Sequence, residues 1–192
     1  MTRPPRPSKN IKKKSKGTPK KVGKIMLKDN RKRTESSRQW LLRQLNDPYV
    51  TKAQELGYRS RAAFKLVEID AKYHFLKPGI TVIDLGAAPG GWTQVAAQKL
   101  KIGTPKGNAT GSHLIAVDLS DMAPLKDVTI FAADFTEEST IQSSLKEVTT
   151  KSGNGVDVIL SDMAAPASGM TDVDHIRIMN LVEAAYEFAC LV

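Results

Sequence analysis

The run Val82-Ile83-Asp84-Leu85-Gly86-Ala87-Ala88-Pro89-Gly90-Gly91-Trp92 decides the fold. Aliphatic and β-branched residues end in an acid, a glycine-rich turn follows, and residues 93–100 continue as a helix-forming run. Strand, tight turn and helix in that order open a nucleotide-type binding unit. Glycine suits such a turn because backbone there must approach a ligand closely and adopt positive φ.

Outward from this run the pattern alternates. Residues 81–85, 113–118, 128–133 and 156–162 read as strands rich in Val, Ile, Leu and Ala, and residues 92–100, 137–151 and 174–191 read as helices. Residues 102–112, with Gly, Lys, Thr and Asn, read as a flexible loop. Upstream, Trp40, Leu41 and Leu45 give residues 36–45 a helical spacing that Asn46-Asp47-Pro48 ends. Residues 60–75 form a second helix with Ser60 as its cap, Phe64, Val67, Ile69 and Ala71 on an apolar side, and Arg61, Lys65, Glu68 and Lys72 opposite. Strand–helix alternation predicts an α/β, Rossmann-like fold with a mostly parallel, doubly wound sheet. Four strands make a thin sheet, so C-terminal strands are expected beyond Val192.

The net charge of +9 over 192 residues is uneven: residues 1–47 carry +13 and the remainder −4. Residues 1–35 are expected to be a basic, disordered arm, because Pro4, Pro5, Pro7 and Pro19 oppose helix and like charges repel. Such an arm suits a polyanion, nucleic acid first, although a merely solubilising tail has the same composition. Residues 36–192 are the expected catalytic domain. A single cysteine, Cys190, excludes an intrachain disulfide, and His74, His113 and His175 lack metal-ligand spacing, so no metal is expected. No apolar run reaches membrane-spanning length and the N-terminus lacks a secretory apolar region, which favours a cytoplasmic protein without a membrane partner.

Asp84, Asp118, Asp134 and Asp162 fall at or just after the carboxyl ends of the four strands, the edge where open parallel sheets bind ligands. Asp118 suits ribose hydroxyls, and Asp134 an adenine amino group. Residues 82–98 contain no Lys or Arg, which disfavours a pyrophosphate. The glycines at 86, 90 and 91 also miss the G-x-G-x-x-G spacing, and no Gly-Lys-Ser/Thr follows. An acidic edge beside a glycine turn suits a cationic adenosine ligand such as S-adenosylmethionine, and the domain reads as a methyltransferase.

Three ordered segments carry a resemblance. Tyr58-Arg59-Ser60-Arg61-Ala62-Ala63-Phe64-Lys65-Leu66, Asp84-Leu85-Gly86-Ala87-Ala88-Pro89-Gly90-Gly91-Trp92 and Ser161-Asp162-Met163-Ala164 resemble the FtsJ (RrmJ, RlmE) family. Its members are S-adenosylmethionine-dependent 2′-O-methyltransferases that act on a uridine of large-subunit ribosomal RNA and contribute to ribosome assembly. The resemblance runs from about residue 36 to the last residue. It implies that Gly86, Gly90 and Trp92 line the cofactor loop beside Asp84, that Asp118 takes the ribose, and that Asp134 takes the adenine side. It implies that Asp162 lies between the methyl donor and the target hydroxyl and that Lys65 is one of two catalytic lysines. The second lysine, assigned as general base, and a glutamate belong to later strands. A monomer working on ribosomal RNA within the large subunit is expected.

Without that resemblance, Lys65 is a solvated helix lysine, Asp162 a turn residue and Trp92 a core aromatic. Phosphate contacts are expected from the arm and from Arg38, Arg43, Arg59 and Arg61, with the uridine selected by folded RNA shape. The alternative reading is a non-catalytic RNA-binding or ribosome-assembly factor that keeps the fold.

Overall fold

The computed structural model describes Arg38, residues 41–42, 45–143, 146 and 155–192. The chain divides between Asn46 and Asp47. In the first unit, Arg38, Leu41, Leu42 and Leu45 are helical, and the backbone and side-chain amides of Asn46 both bond to the Leu42 carbonyl. Trp40 and Arg43 lie outside the described residues, as do the whole basic arm and much of the expected helix at 137–151, of which 138–143 are helical.

The second unit is built on four strands, β1 (Thr81–Leu85), β2 (His113–Asp118), β3 (Thr129–Ala132) and β4 (Val158–Ser161). Their order is β3-β2-β1-β4 and every pairing is parallel. β1 is central and buried along its whole length, which accounts for its uninterrupted Thr-Val-Ile-Asp-Leu sequence. Its side chains alternate between two cores. Val82 faces a core with Leu66, Val95, Ala96, Leu100 and Leu114; Ile83 and Leu85 face another with Ile115, Val117, Phe135 and Phe188.

The same unit holds helices α1 (Pro48–Glu55), α2 (Ala63–Tyr73), α3 (Gly91–Leu100), α4 (Pro105–Thr110) and α5 (Thr171–Leu191). α2 and α3 supply the first core, whereas Phe188 of α5 closes the second, edge-to-face on Phe135 with ring centroids 6.0 Å apart. No helix among the described residues is long and apolar enough to cross a membrane.

Four local expectations need correction. Asn46-Asp47-Pro48 does not only end a helix; Asp47 caps α1, its Oδ1 accepting from Tyr49 N at 2.8 Å, with Pro48 in the first turn. The expected loop at 102–112 holds α4, capped by Thr104 accepting from Gly107 N at 3.2 Å and stopped by left-handed Gly111. Ser60 does not cap α2, which starts at Ala63 after Ala62; its hydroxyl is instead pressed against Gly91, where a Cβ would collide with it. The inward stripe of α2 is also different. Phe64 is buried and Val67 packs on the core as expected, but Ala63, Leu66 and Asp70 are buried beside them at i, i+3 and i+7, while Ile69 and Ala71 are exposed. A buried acid at Asp70 is tolerated because Leu76 N donates to Oδ1 at 2.9 Å and Lys99 Nζ to Oδ2 at 2.6 Å. Burial pushes its carboxyl up, but the Lys99 ammonium and the Leu76 amide outweigh that and hold it below its ordinary value.

Candidate functional site

The turn after β1 is stitched to the end of β2. Gly86 N and Ala87 N both bond to the Val117 carbonyl, at 2.9 and 3.2 Å. Ala88 N donates to Asp118 Oδ2 at 2.9 Å, and Ser120 N to Oδ1 at 2.7 Å. Asp118 therefore joins two loops at the carboxyl edge. Asp134, beyond β3, accepts from the amide and hydroxyl of Thr136 through Oδ1, at 2.9 and 2.7 Å. Asp84 sits beneath them, 1% exposed, and accepts from Thr93 Oγ1 at 2.6 Å. Burial pushes its carboxyl up to about 7; the negative charges of Asp118 and Asp162 add to that, and the Thr93 hydrogen bond opposes it.

A cleft of about 650 Å³ opens over this edge, lined by Gly86, Asp118, Asp134, Asp162 and Met163, with Arg177 reaching in from α5. Three of the four strand-end carboxylates share it, and the fourth lies under its floor. Gly86 is required there. It has φ +70°, and a Cβ would collide with Met163. Arg177 puts a cation into a cleft for which the sequence suggested only acids; it belongs to a helix remote in the chain, so no local spacing pointed to it.

A second cleft of about 700 Å³ lies beside the first and is lined by Tyr49, Arg61, Phe64, Lys65, Glu68 and Asp162, among others. Lys65 Nζ donates to Asp162 Oδ1 at 2.6 Å. The lysine comes from α2 and the carboxylate from the residue after β4, 97 positions later. The Lys65 side chain is 63% exposed, so the pair is open to an incoming molecule. Asp162, Met163 and Ala164 line both clefts. A group held in one and a group held in the other would meet at Asp162.

The remaining site expectations are placed differently. Trp92 lines neither cleft; its Nε1 donates to the Ala62 carbonyl at 2.8 Å and its ring packs on the core of α2 and α3. Gly90 has φ +106° and is the cap of α3, with Arg59 and Met122 where a Cβ would stand. Arg59, an expected phosphate contact, is also tied into the fold. Its guanidinium bonds the carbonyls of Pro89, Ala123 and Pro124 at 3.4, 2.7 and 3.0 Å and so clamps the glycine turn to the segment after β2. Arg61 does line the second cleft, where it is ion-paired with Asp47. Arg38 belongs to the first unit. Tyr49 escapes a reading of the sequence because the helix that carries it does; the Asp-Pro cap is the available signal.

The description "FtsJ-like methyltransferase" fits residues 58–192 of the chain. A "Ribosomal RNA large subunit methyltransferase E" of Paramagnetospirillum magneticum is 48% identical over 165 residues, which cover 86% of this chain and 65% of that protein. One of Parvibaculum lavamentivorans is 51% identical over 168 residues, with the same shares. The chain thus spans just under two thirds of the length of these curated relatives. A crystal structure from Plasmodium falciparum, described as a ribosomal RNA methyltransferase, superposes with a TM-score of 0.59 at 32% identity over 68% of this chain and 70% of that one. The parallel sheet, the glycine turn against β2 and the Lys65–Asp162 pair are thus those of a chain that belongs to the FtsJ-like methyltransferase family.

Proposed function

We propose that the protein is an S-adenosylmethionine-dependent enzyme that methylates the ribose 2′-hydroxyl of a uridine in large-subunit ribosomal RNA, in the cytoplasm and in support of ribosome assembly. One observation carries the reading: Asp162, paired with Lys65, is common to two adjoining clefts. The first cleft fits the cofactor by its chemistry. Asp118 and Asp134 offer acceptors for a ribose diol and an exocyclic amine, the carboxylates suit a cationic ligand, and the glycine turn leaves no Cβ in the way. When bound, the cofactor supplies an activated methyl group.

Alignment is then the main task of the protein. Lys65 spends one N–H on Asp162 and keeps two donors for an incoming hydroxyl oxygen in the second cleft. Asp162 fixes the direction of that ammonium. Deprotonation of the hydroxyl falls, on the family's pattern, to a second lysine. Phosphate contacts come from Arg61, the arm, Arg38 and Arg43, and affinity from these is largely independent of sequence. Arg59 stays in that set, because its three carbonyl partners are neutral and leave its charge in place.

Titration calorimetry tests the cofactor assignment: the chain binds S-adenosylmethionine and not NAD, and the opposite preference would overturn it. Asp162→Asn keeps the shape of the site and is expected to lower methyl transfer by about 10²-fold or more through misalignment. Undiminished transfer in that variant would strip Asp162 of its aligning role, whereas RNA binding with no methyl transfer by the unsubstituted protein would leave an RNA-binding factor as the better description.

A further inference from the structure

We propose that Tyr49 is a stacking platform for a base of single-stranded RNA entering the second cleft, an inference that rests on the function proposed above. Three rings cluster beside this cleft, and two of them, Tyr49 and Phe64, line it. Tyr49 and Phe64 lie with centroids 5.5 Å apart at 55°, and Tyr58 and Phe64 5.7 Å apart at 80°. Phe64 is 8% exposed, and Lys52 Nζ stands 4.9 Å from its centroid. The Tyr58 hydroxyl donates to Gln98 Oε1 at 3.3 Å, and its ring packs on the core. Tyr49 is the ring left open, 47% exposed and lining the cleft.

Its position is fixed by a double use of one carboxylate. Asp47 Oδ1 accepts from the Tyr49 amide at 2.8 Å, and Asp47 Oδ2 is paired with the Arg61 guanidinium. The cap of α1 therefore holds an aromatic face and a cation at one rim, while Lys65 and Asp162 lie in the same cleft. An exposed aromatic beside Arg and Lys is the combination that single-stranded nucleic acid uses, bases on the ring and phosphates on the cations. An apolar peptide would bury the Arg61–Asp47 and Lys65–Asp162 pairs and the Glu68 carboxylate while offering them no polar partner in place of water. The cleft, at about 700 Å³, has room for a splayed-out nucleotide.

The test compares a hexauridine RNA with an abasic strand of the same length, which keeps the phosphates and lacks the bases. With the 192-residue chain, fluorescence anisotropy is expected to show the uridine strand binding at least about 5-fold tighter, the lower end of one stacked base. Tyr49→Ala should erase that preference while leaving abasic-strand binding in place, and Tyr49→Trp should restore it. Equal binding of the two strands by wild type, or a preference that survives Tyr49→Ala, would overturn the platform. Calorimetry with S-adenosylmethionine on the same samples separates the two ideas. Cofactor binding without base preference removes the platform alone; base preference lost in Tyr49→Ala but no cofactor binding keeps the platform and removes the methyltransferase reading.

Discussion

Asp84 shows how a single residue answers to its surroundings. In sequence it is one of four acids at strand ends; in the fold it is the one sealed beneath the cleft, with a hydroxyl as its partner and no cation. Its carboxyl is raised from an ordinary 3.8 to about 7. Between those values the native state holds a proton that the unfolded chain has lost, so stability is full below about pH 4 and falls as pH rises through 7. A three-unit shift corresponds to roughly 4 kcal/mol. Urea unfolding at about pH 5 and pH 8 should therefore show a marked loss of stability at the higher pH, and Asp84→Asn should remove most of that loss. Asp70 behaves in the opposite sense, because Lys99 and the Leu76 amide reward its ionised form. Nothing in the immediate neighbours of either residue tells them apart. The difference is which side chain the fold delivers opposite, Thr93 in one case and Lys99 in the other.

Elements are legible in proportion to how far local chemistry governs them. β1 and β2 lie where alternation and β-branching put them, at 81–85 and 113–118. Substituting Ile83, fully buried between helix and sheet, by Ala should cost about 2–5 kcal/mol in chemical denaturation. α1 and α4 escape that reading although each has an acceptor side chain followed by proline, Asp47-Pro48 and Thr104-Pro105. Proline reads as a stop, yet it is equally a first-turn residue. Asp47→Ala should cost about 1 kcal/mol through the lost cap. It should also free the Arg61 guanidinium and loosen Tyr49, so RNA binding should change more than stability does. Thr104→Ala removes a cap and the hydroxyl's bond to the Lys101 carbonyl, at a residue that lines neither cleft, and serves as the control, with a similar stability loss and unchanged RNA affinity.

At the scale of the whole molecule, charge divides the chain: the positive excess lies before residue 48 and the acidic cleft after it. Removal of residues 1–33 should weaken RNA binding and flatten its dependence on salt, because each phosphate that the arm neutralises adds about 0.7–0.9 to the steepness of log affinity against log salt. Unaltered affinity and slope would make the arm a solubilising tail. By itself the sequence determined the parallel α/β fold, the glycine turn, the family, and Lys65 and Asp162 as candidates, since periodicity, turn chemistry and ordered motifs are properties of short stretches of chain. Only the tertiary structure decided that Lys65 reaches Asp162 across 97 positions, that Arg59 clamps the glycine turn through remote carbonyls, that Trp92 faces the core, and that Tyr49 opens onto the cleft. Those outcomes depend on which remote groups compete for the same donors, acceptors and buried surface, and that competition exists only once the strands are side by side.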